Sequence, residues 1–81
     1  RVAIMAQDGL ARALRPAHAP FDGDIVFALS TERRAAPAPG PETVARIGAL
    51  AADCLARAIA RGVYEATPWT GSDLRCWRDL V

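Results

Sequence analysis

Asp22-Gly23-Asp24 is the chemically richest stretch of this 81-residue sequence. Two carboxylates one residue apart, with a glycine between them that lets the backbone turn tightly, can orient an amine, hold a lysine or share a proton at the mouth of a following strand. Spacing alone favours a plainer reading, an acidic turn that caps that strand. His18 lies four residues before Asp22 and is the only histidine, so the chain builds neither a two-histidine metal site nor a His/Cys relay by itself. Taken alone it reads as a loop histidine bonded to a backbone carbonyl, and its nearness to Asp22 makes it a candidate support for the acidic loop. Cys54 and Cys76 are the only cysteines, far apart in sequence, and supply neither a zinc site nor a disulfide framework. Cys54 falls on an apolar helical stripe and reads as a small core residue, and Cys76 beside Trp77 reads the same way. No histidine or helix N-terminus of the kind that activates a catalytic thiol is assigned beside either. The six glycines are scattered singly, so there is no phosphate-cradling loop. These residues imply no metal and no cofactor.

The elements that must position the acidic turn follow from patterning. Val2 to Leu14 carries apolar residues at three- and four-residue spacing and is expected to be a helix, ended by Pro16 and by the bias of Arg15 away from helical geometry. Gly9 inside it costs roughly 0.5–1 kcal/mol relative to alanine, which points to close packing against another backbone. Pro16 to Asp24 is a loop by its prolines and its Asp-Gly pair, which favours a turn with positive backbone angles. It leads into Ile25-Val26-Phe27-Ala28-Leu29, an uninterrupted apolar run that suits a strand covered on both faces. No second convincing strand is present, and a lone strand cannot satisfy its own backbone groups, so its neighbours must come from elsewhere. Residues 31–40 form a polar, proline-rich linker. Pro41 suits a first helical position and opens a long helix to Ala66, with Val44, Ile47, Ala51, Cys54, Leu55, Ala58, Ile59 and Gly62 on its apolar stripe and an Asp53–Arg57 pair one turn apart. In the tail, Ser72 or Thr70 can cap a short turn over Asp73 to Leu80, and Trp69 and Trp77 read as anchors onto a core or a neighbouring subunit.

Charge excludes two partner classes. Ten basic residues, all arginine, face nine acidic ones, so neither the basic patch of a nucleic-acid binder nor the cationic face of a membrane-surface helix stands out. No apolar run approaches the roughly 18 residues of a bilayer span, and no signal-peptide pattern opens the sequence. With two unpaired thiols, the expected location is cytoplasmic. Arg1 to Ala6 reads as the middle of a helix without a cap or initiator methionine, so the chain is expected to be cut from, or processed out of, something longer.

Met5-Ala6-Gln7-Asp8-Gly9-Leu10-Ala11-Arg12-Ala13-Leu14-Arg15-Pro16-Ala17-His18, followed by Pro20-Phe21-Asp22-Gly23-Asp24-Ile25-Val26-Phe27-Ala28-Leu29-Ser30, resembles the corresponding stretch of the DmpA-like peptidases. Leu55-Ala56-Arg57-Ala58-Ile59, Gly62-Val63-Tyr64-Glu65-Ala66 and Trp77-Arg78-Asp79-Leu80 are similar to the end of the same family. That family comprises L-aminopeptidase/D-esterases, β-peptidyl aminopeptidases and nylon-oligomer hydrolases. The sequence departs from its pattern at Gln7, where histidine is usual, and at Ala19 and Ile25, where threonine is usual.

The resemblance implies an α/β fold, the αββα sandwich of the DmpA type, with residues 1–81 supplying one buried strand and covering helices from the C-terminal part of the domain. It implies a precursor that cleaves itself before a serine or threonine, so that the new N-terminal residue of the small β chain is the nucleophile of an amide hydrolase acting on short peptides or peptide-like amides. Arg1 is not that residue. Asp22 and Asp24 match acidic positions that lie beside the nucleophile in the nylon-hydrolase branch, and are expected to orient its α-amine or a neighbouring lysine; His18 would support the loop. The implied partners are the α chain of the same precursor and further copies, as a homo-oligomer of four or more subunits. The rival expectation is a non-catalytic scaffold that assembles oligomers through the alanine-rich helix and the tryptophan tail.

Overall fold

The computed structural model of the chain describes residues 1–34 and 36–81. Ala35, inside the expected 31–40 linker, lies outside the described residues. The framework is a helical pair: α1 (Val2–Ala6) and α2 (Asp8–Ala13) run almost continuously and lie along one side of α3 (Pro41–Glu65), and a 3-10 turn (Trp77–Asp79) closes the tail.

The first helix is expected as one piece and is found as two. Gln7 keeps right-handed helical angles, φ −58 and ψ −25, but the hydrogen-bond ladder lapses there, and Leu10 N donates to Gln7 O at 2.9 Å in a tightened turn. The second piece ends as expected, with Leu14 already extended ahead of Pro16.

Gly9 explains how closely the pair approaches. A Cβ there would collide with the Ala52 carbonyl oxygen and stand 2.9 Å from Leu55 Cβ and 3.1 Å from Ala56 N, so the absent side chain lets α2 touch the backbone of α3. Gly48, nearer the start of α3, instead leaves room for the Met5 side chain, which lies over it. Around these contacts Ala6, Leu10 and Ala52 are buried and form the core. On the solvent side Arg12 Nη1 donates to Asp53 Oδ1, joining the helices at their rim. Asp53 thus pairs across to α2 and not with Arg57 one turn along.

Pro41 occupies the first turn of α3 after Gly40, where its missing N–H leaves no helical bond unmade, and Glu42 follows at the positive end of the helix dipole. The apolar stripe of α3 divides. Gly48 and Ala52 are buried and Val44, Leu55 and Ile59 half-buried on the side toward α1 and α2, whereas Ile47, Cys54 and Ala58 are exposed. Cys54 is therefore not the core residue its spacing suggests, and both cysteines are free thiols.

The expected buried strand at Ile25–Leu29 is not formed among the described residues. Ile25, Phe27 and Leu29 are 70%, 87% and 91% exposed, and among the described residues no backbone–backbone hydrogen bond involves residues 23–34. A ladder needs a partner, and the physical reason for the missing strand is that the described residues offer none. The segment instead borders an open cleft whose other walls are Val2, Ala6, Ala51 and Leu55.

Candidate active-site loop

Residues 14–24 join α2 to the apolar run, and local chemistry shapes them. His18 adopts a left-handed conformation, φ 57, which histidine tolerates better than most side chains. Ala19-Pro20-Phe21-Asp22 then forms a tight turn with proline at its second position, the place where a fixed φ suits it. Two bonds close it from opposite sides: Asp22 N donates to Ala19 O at 2.9 Å, and Ala19 N donates to Asp22 Oδ2 at 2.7 Å. The reversal thus falls before the Asp-Gly pair. Gly23 has no positive φ and nothing within 4 Å of where a Cβ would stand, so the glycine-driven turn expected there is absent.

This geometry separates the two aspartates. One oxygen of Asp22 is committed to holding its own turn, whereas no side-chain hydrogen bond of Asp24 is found among the described residues. His18, Asp22 and Asp24 are all exposed, and among the described residues the expected bond from His18 to a backbone carbonyl is not formed. Among the described residues no three histidine, cysteine or acidic groups stand close enough together to hold a metal ion. The arrangement is a doubly bonded turn followed, where the apolar run begins, by Asp24, a carboxylate uncommitted among the described residues. Such a group can accept from an ammonium brought to it by another part of a protein.

A second polar cluster was not legible in the sequence. Arg78 of the tail donates from Nη2 to Glu65 Oε2 at 2.7 Å and from Nε to Tyr64 O at 3.2 Å, and its guanidinium carbon lies 5.3 Å from the centre of the Tyr64 ring. Its partners are 13 and 14 residues away through a loop, a separation that carries no periodic signal. The tail turn itself is shorter than expected, reaching only Trp77–Asp79; Ser72 Oγ accepts from Leu74 N, but the Cys76 N–H is capped by Asp79. Of the two expected anchors, Trp77 lines a notch with Ala13, Ile59 and Val63, while Trp69 is 79% exposed.

Comparison with known proteins places this arrangement in context. Residues 1–76 match peptidase family S58. Proteins named as uncharacterized aminopeptidases from Mycobacterium tuberculosis and Mycobacterium bovis are 52% identical over 89 residues, covering 99% of this chain and 25% of each relative. A protein of the same description from Mycobacterium leprae is 47% identical over 85 residues, covering 94% of this chain and 24% of its own. The chain therefore spans about a quarter of the length of the curated relatives it matches. No solved structure matches it.

Proposed function

The chain belongs to peptidase family S58, the DmpA family, and from that membership we propose that it is part of the β chain of an autoprocessed N-terminal-nucleophile amide hydrolase. The substrate class is short peptides or peptide-like amides with a free amino end. The observation that carries this reading is the match to a peptidase family along residues 1–76, joined to the aminopeptidase names of relatives that align with nearly the whole chain.

In this reading the nucleophile is a serine or threonine newly exposed at the start of the β chain. Its hydroxyl oxygen attacks the substrate carbonyl while its own α-amine takes the hydroxyl proton and passes it to the departing amine. Water then releases the acyl group and restores the hydroxyl. The amine must be neutral and aimed at its own hydroxyl. Asp24, the uncommitted carboxylate, accepts from that amine or from an adjacent lysine, while Asp22 holds the turn that presents it, with His18 as loop support. The αββα sandwich, with Ile25–Leu29 as a strand paired to the α chain, belongs to the same proposal. So do assembly as a homo-oligomer of at least four subunits and a cytoplasmic location, the latter supported by two free thiols.

The test is the intact mass of the full-length protein that carries this sequence, followed by its action on amino-acid p-nitroanilides. The expected result is two chains, the smaller beginning with Ser or Thr and running through these residues, with anilide release. An unsplit polypeptide without hydrolysis would instead support a non-catalytic scaffold, which the exposed apolar surface of Ile25–Leu29 and α3 also suits.

A further inference from the structure

The C-terminal end of α3 has an unusual way of being closed. Its last turn contains no basic residue, and Ala66 ends it at φ −58, ψ 138, so the left-handed cap that commonly ties up the final carbonyls is missing. A side chain from the tail does that work. Arg78 donates to the Tyr64 carbonyl, pairs with Glu65 and stacks over the Tyr64 ring. A cation there meets the negative end of the helix dipole as well as a discrete carboxylate.

The tail is built to bring Arg78 back. Gly71 at φ 83 occupies the third position of a turn closed by Ser72 N to Trp69 O at 3.1 Å, a position that demands a positive φ. After it, Asp79 accepts from Cys76 N at 2.7 Å while Asp79 N returns to Cys76 O at 3.0 Å, so the turn carrying Arg78 is closed upon itself. Between these fixed points the tail makes little contact: Trp69, Leu74, Leu80 and Val81 are all exposed. Trp77 faces the helices across an apolar notch lined by Ala13, Ile59, Ala60, Val63 and Tyr64.

We propose that residues 67–80 are a strap held on the C-terminal end of α3 by Arg78 as its polar latch, and that the strap opens as a unit and bares the notch of Ile59, Val63 and Tyr64. Apart from Trp77 at the apolar notch, the other bonds of the strap are internal to it, so Arg78 supplies the polar link whose loss releases it.

The experiment is hydrogen–deuterium exchange on the full-length protein, comparing wild type with Arg78→Gln, Arg78→Lys and Glu65→Gln. Removing the latch in Arg78→Gln is expected to speed exchange about tenfold at residues 67–80 and in the last turn of α3, the scale set by losing hydrogen bonds to a charged group. Arg78→Lys, which keeps charge without the fork, and Glu65→Gln, which keeps the carbonyl bond, are expected to fall between. Exchange in α1, α2 and the first half of α3 stays as in the wild type. Unchanged protection of the tail in Arg78→Gln overturns the latch; loss of protection throughout the chain overturns the idea of a unit that opens by itself. None of these readouts depends on hydrolytic activity.

Discussion

At the scale of single residues, glycines that look alike in the sequence have opposite roles. Gly9 sits against the Ala52 carbonyl and the Ala56 nitrogen, backbone atoms that cannot swing aside, whereas a Cβ at Gly62 would meet nothing within 4 Å. Gly9→Ala is therefore expected to destabilise the protein by about 1–2 kcal/mol, overpacking outweighing the gain in helix propensity. Gly62→Ala should stabilise it by about 0.5–1 kcal/mol for the opposite reason. Denaturant midpoints of the full-length protein check both, and equal effects at the two sites would refute the packing account. The aspartates divide in the same manner. Asp22→Ala removes a bond that closes its turn and should lower stability by about 1 kcal/mol. Asp24→Asn should leave stability within about 0.5 kcal/mol yet, if its carboxylate orients the catalytic amine, reduce turnover about 100-fold. A variant at position 24 that unfolds readily but hydrolyses anilides at the wild-type rate contradicts that division of labour. Close packing at Gly9 was legible because a glycine in a helix needs a reason. The separate duties of Asp22 and Asp24 were not, since they follow from a reversal centred on Pro20-Phe21, two residues earlier than the Asp-Gly pair indicates.

At the scale of elements, legibility followed how local the determinants are. The start of α3 at Pro41 and the end of α2 before Pro16 depend on a ring and its neighbours, and both fall where the prolines place them. The division of α3 into a packed and an open side depends on which face α1 and α2 select, and that choice is written in Gly48 and Ala52, small residues with little hydrophobic signal, more than in Ile47 or Cys54. The apolar run at Ile25–Leu29 is the extreme case, because every bond that would make it a strand belongs to another segment. In the full-length protein the amides of residues 25–29 are expected to exchange at least about a hundredfold more slowly than in the isolated 81-residue chain, as ladder bonds protected by packing on both faces do. Equal, fast exchange in both would mean that the segment is not a strand of the proposed sandwich, whatever its composition suggests.

At the scale of the whole molecule, the dimensions are those of an open chain with little interior. A compact chain of this length has a radius of gyration of about 12 Å, against 16.4 Å here with extents of 51 × 27 × 22 Å. Its accessible surface would be about 4,700 Å², against 7346 Å² observed. Among the described residues only Ala6, Leu10 and Ala52 are buried apolar residues, and none is large except Leu10. Apolar side chains as large as Phe21, Phe27, Leu29, Leu50 and Trp69 stay in water. Burial so slight cannot offset the conformational entropy of ordering the chain, about 1–2 kcal/mol per residue for the backbone alone. The isolated 81 residues are accordingly expected to keep helical circular dichroism while binding a hydrophobic dye and melting over a broad range, the behaviour of secondary structure without fixed packing. Joined to the remainder of its polypeptide, the same stretch should lose dye binding and unfold in one sharp transition. A sharp transition and no dye binding by the isolated chain would show that it closes on itself, and the proposal that its apolar run is completed by an α chain would then fail together with the strand.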